Sequence, residues 1–142
     1  MSDNLNNEVT PLEGDFDYIP GTCNIGIREI RRRQLVGGIG TFLTISTIFG
    51  FANHHSARIS RLSTFLPARV MSIGYLQARK KFCLAFGLSG LFNFGKLGST
   101  QRVISEEDRK IDRQAAIRLL LQAAALAAAV TALVFVLPIG AK

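Results

Sequence analysis

The chain has 142 residues, enough for one domain at most, and its 48% hydrophobic content is gathered in blocks instead of being spread evenly. Its net charge of +7 has a simpler source than nucleic-acid binding, because Lys and Arg accumulate beside apolar runs as they do in the cytoplasmic segments of membrane proteins. Two cysteines, Cys23 and Cys83, have no CxxC spacing; they exclude a disulfide framework and read as reduced thiols.

Residues 1–26 carry Asp3, Glu8, Glu13, Asp15 and Asp17, no basic group, and too few apolar side chains to offset the entropy of ordering them. An acidic, mostly irregular cytoplasmic tail is expected. It does not read as a secretory signal, which needs a basic start and an early apolar core. Phe16, Tyr18, Ile19 and Pro20 form a small cluster suited to docking on a partner or on the rest of the chain.

Residues 27–142 read as a single membrane domain. Arg28, Arg31, Arg32 and Arg33 lead into residues 34–52, a stretch without Asp, Glu, Lys or Arg. It matches the roughly 20 apolar residues that cross a bilayer core of about 30 Å, and the basic cluster anchors its first end on the cytoplasmic side. Its Gly, Thr and Ser content favours close helix approach in lipid. Gly37, Gly38 and Gly40 are packing features here, since a phosphate loop inside a membrane run is implausible.

Residues 59–78 are apolar but contain Pro67, which interrupts a helix, and Arg69. Charge decides their course. If they cross back, the four arginines before the first span share a side with Arg79, Lys80, Lys81, Lys96, Arg102, Arg109, Lys110, Arg113 and Arg118. Only Arg58, Arg61 and Lys142 then lie outside, which satisfies the positive-inside bias far better than a two-span arrangement. Arg69 is left as an intramembrane charge that snorkels to the interface or meets a partner.

Residues 82–95 are too short to span. Arg79, Lys80, Lys81, Phe82, Phe86, Phe92 and Phe94 suggest an interfacial or re-entrant segment on the cytoplasmic side, with basic groups at lipid headgroups. A packed elbow between helices is the alternative. Ser105, followed by Glu106, Glu107 and Asp108, then reads as the N-cap of a helix. Glu106 and Lys110 are spaced as an i,i+4 pair on its exposed face. The helix is expected to run unbroken into a last span at 119–139, a rod of roughly 48 Å. Ala124, Ala128 and Ala132 give it a small-residue packing face, with Ala123, Ala127 and Thr131 one step around.

The expected fold is therefore an all-α membrane protein with three transmembrane helices, at about 34–52, 59–78 and 119–139, the N-terminus cytoplasmic and the C-terminus outside. His54 and His55 are adjacent and have no acid or thiol nearby, so no metal site is expected. No catalytic set and no cofactor motif occurs, and the topology places both histidines across the membrane from both cysteines.

The stretches Gly21-Thr-Cys-Asn-Ile-Gly-Ile-Arg-Glu-Ile-Arg-Arg-Arg33 and Phe82-Cys-Leu-Ala-Phe-Gly-Leu-Ser-Gly-Leu-Phe-Asn-Phe-Gly95 are similar to those of a group of short, uncharacterised bacterial inner-membrane proteins. The resemblance covers about two thirds of the chain, excluding the tail. It implies a bacterial inner-membrane location and, since no activity is attached to that group, supplies no functional residues.

These features point to a non-catalytic accessory, assembly or stabilising subunit of a larger membrane protein complex. Its partners would be other membrane subunits or further copies of itself, together with lipid headgroups, and not nucleic acid. A small homo-oligomeric transporter or channel is the alternative, with Arg69, Thr41, Thr44, Ser46, Thr47, Ser72 and Gln122 along its path; a lipid or quinone site under the aromatic segment is a third.

Overall fold

The structure, a computed structural model, describes residues 17–140. Phe16 of the aromatic cluster, the acidic residues 3, 8, 13 and 15, and Lys142 lie outside the described residues. Helices dominate: α1 (Ile27–Asn53), α2 (Phe65–Lys80), α3 (Leu84–Ser89) and α4 (Glu106–Val136), with a 3-10 helix, Arg58–Thr64, leading into α2. Two short strands, β1 (Leu91–Phe92) and β2 (Gln101–Arg102), pair antiparallel with Leu91 opposite Arg102. The expected all-α chain thus holds a small ribbon as well.

Among the described residues two helices, α1 and α4, are long and apolar enough to cross a membrane. Both leave apolar side chains uncovered: Phe42 is 70% exposed on α1, flanked by Ile39, Ile45 and Phe49, and Leu121, Leu133 and Val136 are exposed on α4. Apolar area costs about 25 cal/mol per Å² in water, so a surface of this extent is compatible with lipid as its solvent.

Residues 59–78 do not form one α-helix. Their first part is 3-10, and α2 begins only at Phe65. Pro67 falls in the first turn of α2, where its missing N–H has no intrahelical acceptor to lose, so it sits at a helix start and breaks nothing. The 16 residues of α2 rise about 24 Å, less than a hydrocarbon core of about 30 Å. The preceding 3-10 helix of 7 residues adds about 14 Å.

Helix α2 runs antiparallel to α1 and α4 and lies between them, packed on both. Its contact with α1 is made by backbone. A Cβ on Gly40 would lie 2.3 Å from the Met71 amide nitrogen, and one on Gly74 would lie 2.3 Å from the nitrogen of Gly37. Only glycine permits that approach. Hydroxyls on the same two helices turn back on their own turns, Thr44 Oγ1 donating to Gly40 O at 2.7 Å and Ser72 Oγ to Ala68 O at 2.8 Å, so burying them leaves no unpaired group.

Ser105 caps α4 as its sequence suggests: its Oγ accepts from the Asp108 N–H at 3.3 Å, and Glu106, Glu107 and Asp108 occupy the positive first turn. Arg109, not Lys110, is the basic group near Glu106, at 3.9 Å. The helix continues unbroken to Val136. Ala116, Leu119, Ala123, Ala127, Thr131 and Val134 form its buried stripe, spaced by three and four residues. That stripe meets α3 at the charged end, α2 along the middle and the 3-10 helix at the far end.

The segment 82–95 takes the form of a packed elbow. Phe82 is 2% exposed against Ala116 and Leu119, and Phe86 packs on Ile25, Ile30, Ala78 and Cys83. Tail residues 17–26 also belong to the packed body: they are irregular, yet Cys23, Asn24 and Ile25 are buried.

Candidate functional site

The densest set of buried polar groups lies at the charged end of the helices, where the tail crosses the elbow. Asn24 is wholly buried at the centre. Its Oδ1 accepts from the Cys83 N–H at 2.6 Å and its Nδ2 donates to the Cys83 carbonyl at 3.2 Å. A carboxamide offers donor and acceptor side by side, so it meets both main-chain groups of Cys83, whose carbonyl also accepts from the Gly87 N–H at 2.9 Å. The main chain of Asn24 is engaged too, its N–H donating to Lys81 O at 3.2 Å and its carbonyl accepting from the Asn93 N–H at 2.9 Å.

Asn93 completes the join. Its carbonyl accepts from Gly26 N–H at 2.8 Å, while its side chain closes the following turn by accepting from Gly95 N–H and donating to Lys96 O, both at 2.9 Å. Residues 24–26 are thereby hydrogen-bonded alongside Asn93, far away in sequence.

A second junction ties the tail to α4. Asp112 is wholly buried, and its carboxylate accepts from Tyr18 Oη and from the Gly21 N–H, each at 2.7 Å. Tyr18 stacks on Phe92 with ring centroids 5.0 Å apart, and Phe92 in turn meets Phe94 at 5.9 Å. Burial first, and the bond to Asp112 second, push the Tyr18 phenol above the ordinary tyrosine range.

Beneath these lies Glu29, 1% exposed in the first turn of α1. Its carboxylate is 3.6 Å from Arg33 Nη2 and 4.0 Å from Arg32 Nη1. Arg33 Nη2 also donates to Cys83 Sγ at 3.0 Å. Both thiols are free and buried, and burial pushes the Cys23 thiol up, away from the reactive thiolate.

The residues singled out from sequence fall into several places. Phe82, Phe86, Phe92 and Phe94 all turn into this packed end, whereas Arg79, Lys80 and Lys81 remain exposed on its rim. Arg69 lies on α2 with its guanidinium 6.0 Å from the Phe65 ring centroid, within cation–π range. On α4 the inward row is Ala123, Ala127 and Thr131; Ala124 is partly covered, and Ala128 and Ala132 are exposed. His54 and His55 are exposed beyond the far end of α1, about 40 Å of helix from the cysteines. Among the described residues no group of His, Cys, Asp or Glu could hold a metal ion.

Sequence reasoning missed Asn24, Asn93, Glu29, Asp112 and Arg61. Asp112 carried a signal: it precedes Ala116, Leu119 and Ala123 on the same helical stripe, so an acid there had to be buried and partnered. Arg61, counted only as an outer charge, is 7% exposed. Its guanidinium donates to the carbonyls of Leu137 at 2.8 Å, Phe135 at 3.4 Å and Ile139, gathering the end of α4. A cation at a helix C-terminus meets both unpaired carbonyls and the negative dipole end.

Chemically, this arrangement holds segments together. The amides of Asn24 and Asn93 meet backbone groups, Asp112 accepts from Tyr18 and Gly21, and Glu29 faces Arg33 and Arg32 at ion-pair distance. No family model, curated protein or solved structure matches this chain.

Proposed function

We propose that the chain is a non-catalytic inner-membrane subunit that stabilises or helps assemble a larger membrane protein complex. In this reading α1, the Arg58–Lys80 segment and α4 each cross the bilayer, with the tail and elbow in the cytoplasm. The distribution of Lys and Arg supports that orientation. The combined length of the 3-10 helix and α2, about 38 Å, supports the crossing of that segment.

The observation that carries the subunit role is the outer side of α4. Ala125, Ala128, Ala129 and Ala132 are all exposed there, while the chain's own helix contacts are built from small residues at backbone distance. Lipid gains little from such a smooth face, and a second helix gains close packing. The channel reading is weaker, because Thr41, Thr44, Thr47 and Ser72 donate to carbonyls of their own helices and so offer little to a solute.

Purification from native membranes in mild detergent tests the role. Co-migration with larger subunits, lost in Ala128→Leu/Ala132→Leu, is the expected result. Migration of the unaltered protein only as a small monomer would overturn it.

A further inference from the structure

We propose that a cleft between α2 and α4, at their charged end, binds the phosphate of an anionic lipid headgroup. The cleft has a volume of about 260 Å³ and is lined by Lys80 and Phe82 from the α2 side, Arg118, Leu119 and Gln122 from α4, and Gly21 from the tail. It is too small for a whole lipid and matches a headgroup with the start of its glycerol.

The lining chemistry is one-sided. Lys80 and Arg118 face the cleft from different helices, and no carboxylate lines it. Asp112, the nearest buried acid on α4, is already engaged by Tyr18 and Gly21. Gln122 accepts from Lys80 through Oε1, which fixes the ammonium and leaves the amide Nε2 to donate. Arg118 has no ion-pair partner among the described residues. Its guanidinium fork suits two phosphate oxygens.

The cleft's level also fits. Arg118 is the last charged residue before the uncharged run of α4, and Lys80 ends α2, so the cleft lies where hydrocarbon gives way to headgroups. Its floor is closed by the apolar side chains of Phe82 and Leu119. Basic pockets between membrane helices on the cytoplasmic side take anionic headgroups for these reasons.

The test uses the full chain in mild detergent, following thermal unfolding against added phosphatidylglycerol, phosphatidylcholine or glycerol phosphate. Phosphatidylglycerol is expected to stabilise and phosphatidylcholine is not. The half-saturating phosphatidylglycerol concentration should rise roughly 25-fold in Lys80→Gln/Arg118→Gln, about fivefold for each basic group. It should stay unchanged in Arg113→Gln, and Arg118→Lys should retain most of the binding. Equal responses to the two lipids, or an unaltered response in the double variant, would overturn the site. Stabilisation by glycerol phosphate equal to that by the lipid would overturn the lipid source and assign a soluble phosphate ester. The inference rests on the membrane reading, which alkaline extraction of membranes tests separately: release into the soluble fraction defeats that reading, whereas retention without phosphatidylglycerol dependence defeats only the headgroup site.

Discussion

Asn24 and Cys83, 59 positions apart, are joined by a pair of hydrogen bonds in which one carboxamide satisfies both the N–H and the carbonyl of a single residue. Cys83 follows the end of α2, where Lys81 takes the left-handed conformation (φ 54°) and the helix can no longer supply partners. The tail thus does for the elbow what another turn of helix would have done. Because the Asn24 main chain also bonds Lys81 and Asn93, one buried residue holds three segments.

Replacing Asn24 with Ala leaves the buried Cys83 N–H unpaired, while the Cys83 carbonyl keeps the Gly87 N–H at 2.9 Å, so a cost of about 1–3 kcal/mol is expected. The thermal midpoint in detergent should fall, and maleimide labelling of the wholly buried Cys83 should accelerate. Asn24→Asp keeps the acceptor, loses the donor and buries a charge, so it should be at least as harmful. Labelling of Asn24→Ala as slow as that of the unaltered protein would show that the clamp does not hold the elbow.

The glycines of α1 separate into two groups. Gly40→Ala, or Gly74→Ala on α2, drives a methyl group into backbone at 2.3 Å, and the helices must move apart; a loss of 3 kcal/mol or more is expected, about the upper range for overpacking. Gly38 has nothing within 4 Å of an added Cβ. Gly38→Ala should stabilise by about 0.5–1 kcal/mol through helix propensity alone. Thermal unfolding of the three variants side by side makes the comparison, and similar effects at Gly38 and Gly40 would contradict the backbone contact.

Arg61→Ala removes a buried cation from three carbonyls at the end of α4. Hydrogen bonds to charged groups contribute about 1.5–3 kcal/mol each, so the last turn should fray. Hydrogen exchange should speed up at the amides of Leu133 to Leu137 and remain slow at Ala123 to Ala127. Arg61→Lys keeps the charge without the fork and should fall between.

Docking of the tail should weaken at alkaline pH. The folded value of Tyr18 is raised, first by burial and then by Asp112, so the docked state favours the protonated phenol. Its contribution is complete below the ordinary tyrosine value of about 10 and is lost as pH rises beyond it through the folded value. The chain has two tyrosines, so tyrosinate absorbance in a Tyr75→Phe background reports Tyr18 alone. A titration displaced to the alkaline side of free tyrosine is expected, relaxing only in part in Asp112→Asn because burial is the larger cause.

Local features were legible before any coordinates. The start of α4 at Ser105, its unbroken length, and the apolar stretch of α1 follow from an N-cap hydroxyl, first-turn acids and runs without charge, each of which acts within a few residues. The interruption expected at Pro67 does not occur: proline breaks a helix that is already under way, and α2 starts close enough to it that nothing breaks.

Which side of a helix turns inward is a different kind of question. The sequence singles out Ala124, Ala128 and Ala132 as a packing face, yet within the chain the row one step around, Ala123, Ala127 and Thr131, turns inward and leaves Ala128 and Ala132 uncovered. Likewise, the aromatic elbow was open between lying in the interface and packing on the chain, and it packed because the tail supplied Asn24 and Tyr18. The sequence by itself determined where helices form and where charge is tolerated, since those depend on neighbours along the chain. Only the tertiary structure decided the partners of Asn24, Asp112 and Arg61, because buried polar groups are satisfied across separations of 59 to 94 residues, and no local pattern records which distant backbone group will be left without a partner.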